Sequence, residues 1–78
     1  MRTINNLEVG ECGVVKAVRG VGALRRRIID MGITPGANII MRKVAPFGDP
    51  IEINVRGYEL SIRKSEAEQI VIYEKGED

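Results

Sequence analysis

The chain has 78 residues, 44% of them apolar and only three aromatic, Phe47, Tyr58 and Tyr73, which suits a single domain over residues 1–78 with a β-rich core of branched aliphatics. Twelve basic residues against eleven acidic ones leave a net charge of +1, so the strong positive field and the stacking platforms of an ordinary nucleic-acid binder are missing. No histidine is present and Cys12 is the only cysteine, which excludes an internal disulfide and every histidine-dependent triad, and makes a cytoplasmic setting the expectation.

Met1 to Asn6 lacks the apolar stretch of a leader, and nothing later approaches the roughly 20 apolar residues of a spanning helix, so no direct membrane insertion is expected. Asn5 to Gly13 reads as a lead-in loop anchored by Leu7 and Val9, and Val14 to Arg19 as the first strand. A helix is expected from about Val21 to Met31. Val21, Leu24, Ile28 and Met31 fall on one stripe of it, and Asp30 sits four residues after Arg26, where a salt bridge supports a helix. Gly32 should end that helix in a left-handed cap, with Ile33 folding back on Ile28. Thr34-Pro35-Gly36-Ala37 follows as a turn, since proline presets its second position and glycine accepts the positive φ of its third.

The second strand is expected over Asn38 to Val44, stopping before the loop Ala45-Pro46-Phe47-Gly48-Asp49-Pro50, where proline removes a backbone donor. Two alternating runs come next, Ile51 to Val55 and Tyr58 to Ile62, separated by Arg56-Gly57. A two-residue loop pairs Val55 with Tyr58 and Ile53 with Leu60, so apolar side chains share one face while Glu52, Asn54, Glu59 and Ser61 share the other. Lys64 to Gln69 reads as one helical turn and Ile70 to Tyr73 as a closing strand. Five short strands with one inserted helix favour a mainly β fold, a small SH3-like barrel closed on itself, because closure removes exposed edges. An α+β open sheet covered by the helix satisfies the same pattern.

Catalytic chemistry finds little support. Cys12 has no histidine to deprotonate it and reads as a structural thiol. Glu66 and Glu68 read as solvated surface. Gly20-Val21-Gly22 opens a helix but lacks the third glycine of a dinucleotide fingerprint, Arg25 standing in its place, and no Gly-Lys-Ser/Thr follows for a phosphate loop. Asp49, Glu52 and Glu59 are too dispersed for a hard-cation site, and no cofactor or metal site is expected. Arg25, Arg26 and Arg27 fan around the helix in 100° steps. Arg26 faces away from the apolar stripe, the stem of Arg25 covers apolar surface, and Arg27 flanks Met31. Leu24, Arg25, Arg26, Arg27, Met31 and Phe47 form the candidate partner-binding surface, against the plainer reading of a solvated face and a plugged barrel end. Gly32, Pro35, Gly36, Gly48, Asp49, Pro50 and Gly57 are the candidate cap and turn positions.

The order Leu24-Arg25-Arg26-Arg27-Ile28-Ile29-Asp30-Met31-Gly32-Ile33-Thr34-Pro35-Gly36, Ala45-Pro46-Phe47-Gly48-Asp49-Pro50, Val55-Arg56-Gly57-Tyr58 and Leu60-Ser61-Ile62-Arg63 resembles the FeoA family. The likeness runs over nearly the whole chain, including Leu7-Glu8-Val9-Gly10-Glu11 and Glu66-Ala67. It implies a small cytoplasmic SH3-like protein that accompanies the membrane transporter FeoB in bacterial ferrous iron uptake. The implied role is non-enzymatic, engaging the GTPase-bearing cytoplasmic part of that transporter, within transition metal ion binding and transport. Related domains end iron-dependent repressors, so a freestanding repressor-type domain in metal-linked regulation remains an alternative, as does a small nucleic-acid-binding barrel. Weak homo-oligomerisation is left open. Arg27 and Asp49 match family positions, and an ion pair between them is expected to tie the helix to the loop.

Overall fold

The computed structural model describes residues 1–77. Six antiparallel strands hydrogen-bond in the order β1-β6-β2-β3-β4-β5. They are β1 (Arg2–Thr3), β2 (Cys12–Val18), β3 (Asn38–Val44), β4 (Ile51–Val55), β5 (Tyr58–Ile62) and β6 (Ile70–Ile72). A 3-10 turn occupies Ile4–Asn6, helix α1 spans Gly22–Asp30 between β2 and β3, and the short helix α2 spans Lys64–Ala67.

Strand β2 makes the sheet curl. Its first half, Cys12 to Val14, pairs with β3, while Val15 to Val18 pairs with β6 across an irregularity between Val15 and Ala17. A bulge there bends the strand and lets one continuous strand serve both halves of the sheet. Another shift between Met41 and Lys43 interrupts the β3–β4 ladder. The enclosed core contains Val15, Val18 and Ile72 from one half and Ile39, Met41, Ile53 and Val55 from the other, closed by Ile4 and Ile28.

The lead-in segment differs from expectation. Strand β2 begins at Cys12 and not at Val14, because Gly10 N donates to Met41 O at 2.7 Å and Met41 N to Glu11 O at 3.0 Å, extending the ladder beyond the sequence pattern. Gly13 belongs to the same approach: a Cβ there would lie 3.0 Å from Ile72 Cδ1 and 3.4 Å from Leu7. Strand β1, two residues long and paired with Ile72 and Val71, carries too little pattern to be read from sequence.

Closure of the sheet also differs. Strands β5 and β1 are the two ends of the hydrogen-bonded order. Helix α2 and the 3-10 turn meet where a strand ladder would otherwise join, with Asn5 Nδ2 donating to Lys64 O at 3.2 Å. The hairpin follows its expected register, Val55 opposite Tyr58 and Ile53 opposite Leu60. Arg56 and Gly57 take φ of 51° and 85°, the left-handed pair that a twisted two-residue hairpin requires.

Candidate functional site

Helix α1 ends as its sequence dictates. Gly32 has φ +91°, its N–H donates to Ile29 O at 2.9 Å, and Ile33 N–H reaches Ile28 O at 3.4 Å. This double return is the Schellman cap, and Ile33 and Ile28, both fully buried, make the apolar contact that accompanies it. Ala37 N then donates to Thr34 O at 3.0 Å to close the turn containing Pro35 and Gly36.

The apolar stripe is shorter than expected. Ile28 is buried, Ile29 and Met31 pack partly against the core, but Val21 is 86% exposed and Leu24 37%. The buried apolar face of α1 is thus confined to its C-terminal half. Burying Ile28 is worth about 2–3 kcal/mol, which is enough to anchor the helix at one end.

The three arginines have distinct surroundings. Arg25 Nε donates to Val18 O at 3.3 Å, fastening α1 to the end of β2. Arg26 is exposed, and among the described residues no ion pair joins it to Asp30, which corrects that expectation. Arg27 Nε lies 3.2 Å from Glu66 Oε2, its own side chain 63% exposed and that of Glu66 only 4%. The expected Arg27–Asp49 ion pair is therefore replaced: Glu66 takes the guanidinium, and Asp49 Oδ1 accepts from Lys64 N at 3.0 Å. Arg27 and Asp49 nevertheless border one cleft of about 360 Å³, together with Pro50, Ile62, Arg63 and Glu66.

Glu66 corrects a second reading, since it is buried and not solvated. Its Oε1 accepts Arg63 N–H at 2.8 Å, the backward reach of a residue three places into a helix toward the amide that precedes it. The sequence gives little warning of it, since Arg63 stands where Ser, Thr, Asp or Asn would mark such a start. Residue Glu68 is exposed as expected.

Leu24, Arg25, Arg26 and Arg27 thus project from one helix, with Met31 half-buried at its end and Phe47, 98% exposed, at the tip of the β3–β4 loop. Tyr58 Oη donates to Met31 O, and Arg56 donates to Gly32 O at 2.9 Å and Thr34 Oγ1 at 2.7 Å. The hairpin tip therefore clamps the end of α1. Gly48 and Pro50 lie in the loop that carries Phe47, where Gly48 N donates to Ala45 O at 2.7 Å and Ala45 N to Pro50 O at 3.1 Å.

A larger cavity, about 510 Å³, lies elsewhere and went unread in the sequence; Arg2, Glu11, Cys12, Tyr73 and Lys75 border it. Cys12 is exposed there. Glu11 accepts from Arg2 and lies 3.7 Å from Lys75; the Glu8 backbone N–H first, then Arg2, hold its carboxyl below the ordinary range. Lys16 pairs with Glu77 at 2.8 Å, and its ammonium stands 5.6 Å from the Tyr73 ring centroid. Among the described residues no group of three or more Cys, Asp or Glu is arranged to hold a metal ion, and no helix is long and apolar enough to cross a membrane.

Comparison with known proteins bears on the whole chain. The family model described as the FeoA domain matches residues 2–74. A fusion of Fe(2+) transport protein A with the Fe(2+) transporter FeoB from Porphyromonas gingivalis is 32% identical over 69 residues, which is 88% of this chain and 8% of that protein. The FeoA-like protein of Clostridium acetobutylicum superimposes with a TM-score of 0.84 at 40% identity, covering 94% of this chain and 87% of the other. Stenotrophomonas maltophilia FeoA, solved with zinc and described as a procaryotic SH3 domain protein, gives 0.82 at 26% identity over 94% and 91%. A match over residues 2–74, with two solved relatives of similar size, one of them described as an SH3 domain protein, shows that this chain belongs to the FeoA domain family, which is associated with ferrous iron transport.

Proposed function

We propose that the protein is a non-enzymatic accessory of ferrous iron uptake that acts in the cytoplasm by docking on the GTPase-bearing cytoplasmic part of the FeoB transporter. The observation that carries this reading is the Porphyromonas gingivalis relative, in which the two proteins share one polypeptide, an arrangement that gives docking partners a high effective concentration. The face offered for docking is α1 with the neighbouring loop. Its arginines are exposed, Leu24 keeps 37% of its surface and Phe47 nearly all. Aromatic and arginine side chains are the usual anchors of protein interfaces.

Arg26 is the decisive position, because it is exposed and no ion pair engages it among the described residues. Calorimetric titration of the purified chain against the transporter's cytoplasmic domain should give saturable binding. Arg26→Glu should weaken that binding about tenfold, mostly through slower association at low salt. Wild-type affinity for Arg26→Glu would remove α1 from the interface. No binding at all would end the reading.

A further inference from the structure

We propose that the outer edge of β5 is a strand-addition site, and that its occupant is an extended, carboxylate-bearing segment of the transporter's cytoplasmic part. This rests on the function proposed above and specifies how the partner is gripped. Strand β5 ends the sheet, with β4 as its neighbour. A two-residue loop makes its flanking pair, Val55 and Tyr58, a hydrogen-bonded one. Alternation then turns the N–H and C=O groups of Tyr58, Leu60 and Ile62 toward β4, and those of Glu59 and Ser61 outward. Both outward residues are exposed, and among the described residues no turn, loop or cap hydrogen bond ends on either backbone.

Native edges are ordinarily blunted by a bulge, a proline or a covering element. The β4–β5 register is unbroken over all five pairs, Tyr58–Ile62 holds no proline, and β1, at the other end of the sheet, pairs with β6. The edge opens on the 360 Å³ cleft through Ser61 and Ile62, with Arg27 and Arg63 on its walls. An extended peptide laid there would receive two N–H and two C=O groups and send alternate side chains into the cleft.

Charge selects the occupant. Arg56 and Arg63 flank the two ends of β5 with no carboxylate in ion-pair range among the described residues, whereas Arg27 is paired with Glu66. The carboxylates nearby are engaged: Glu66 by Arg27 and the Arg63 amide, Glu59 by Arg42 and Asn54, Asp49 by the Lys64 amide. The border therefore offers cations to a segment that brings its own acids.

The test titrates the full chain, labelled with nitrogen-15, with the transporter's cytoplasmic domain while amide exchange is read by NMR and binding by calorimetry. Exchange at Glu59 and Ser61 should slow about tenfold or more, whereas Leu60, already bonded to β4, should change little. Ser61→Pro removes one outward donor and should weaken binding about fivefold, the worth of one backbone hydrogen bond. Arg63→Glu, which leaves the backbone unrestrained, should weaken it by a similar factor. Binding heat with Glu59 and Ser61 exchanging as in the free chain overturns strand addition and leaves the partner intact. Slowing that grows with chain concentration in the absence of partner assigns the edge to a second copy and likewise overturns it. No binding heat overturns both readings.

Discussion

Replacing Gly32 with alanine tests the joint between α1 and the β4–β5 hairpin. The residue has φ +91°, a region that costs a residue with a Cβ roughly 1–2 kcal/mol. The added Cβ would also stand 2.9 Å from Tyr58 Oη and 3.5 Å from Arg56 Cδ. Relieving that contact moves the Tyr58 hydroxyl away from Met31 O, a loss of about 1 kcal/mol for one hydrogen bond. Gly32→Ala should therefore cost about 2–3 kcal/mol. At about 4–8 °C per kcal/mol for a domain of this size, Tm should fall by roughly 10–20 °C. Urea unfolding followed by circular dichroism measures the cost, and a double-mutant cycle with Tyr58→Phe separates its parts. Without the hydroxyl, only the backbone penalty remains, so Gly32→Ala should cost about 1 kcal/mol less in that background. A cost below about 0.5 kcal/mol, or equal costs in both backgrounds, would refute the argument.

Ile28→Ala should destabilise by about 2–5 kcal/mol, as a fully buried side chain does, while Leu24→Ala should cost under about 1 kcal/mol; similar losses would restore the longer apolar stripe. Phe47→Ser should leave the unfolding free energy measured in urea unchanged within about 0.5 kcal/mol, because 98% of the residue is already exposed, yet weaken partner binding severalfold. The folded state should also respond to pH at both extremes. Glu11, Glu59 and Glu77 have carboxyls held below their ordinary value of 4.5, chiefly by the Glu8 N–H, Asn54 and Lys16 respectively. Depressed acids contribute stability above the unfolded value that is lost as pH falls through the folded ones. Lys16 is raised above 10.5, mainly by its bond to Glu77, so its contribution is present below that value and lost as pH rises through the folded one. Tm should be level between these limits and decline beyond each; a maximum below pH 4 would contradict the assignment.

What the sequence determined by itself was local. The Schellman cap at Gly32, the turn through Pro35 and Gly36, strand β3 from Asn38 to Val44 and the register through Arg56-Gly57 all follow from φ preferences and hydrogen bonds closed within a few residues. Composition and motif order were enough for the SH3-like class and the family. Tertiary structure decided which surface each element covers. Leu24 lies on the same stripe as Ile28, yet it keeps 37% of its surface while Ile28 is fully buried. Arg27 meets Glu66 and leaves Asp49 to the Lys64 amide because α2, remote in sequence, brings the Glu66 carboxylate within reach of α1. Glu66 is buried for the same reason, its carboxylate serving both Arg27 and the Arg63 amide. The free edge of β5 was equally invisible, since whether two strand ends join depends on the curvature accumulated along β2 and β3. Periodicity records which side chains face together; only the assembled sheet sets what they face.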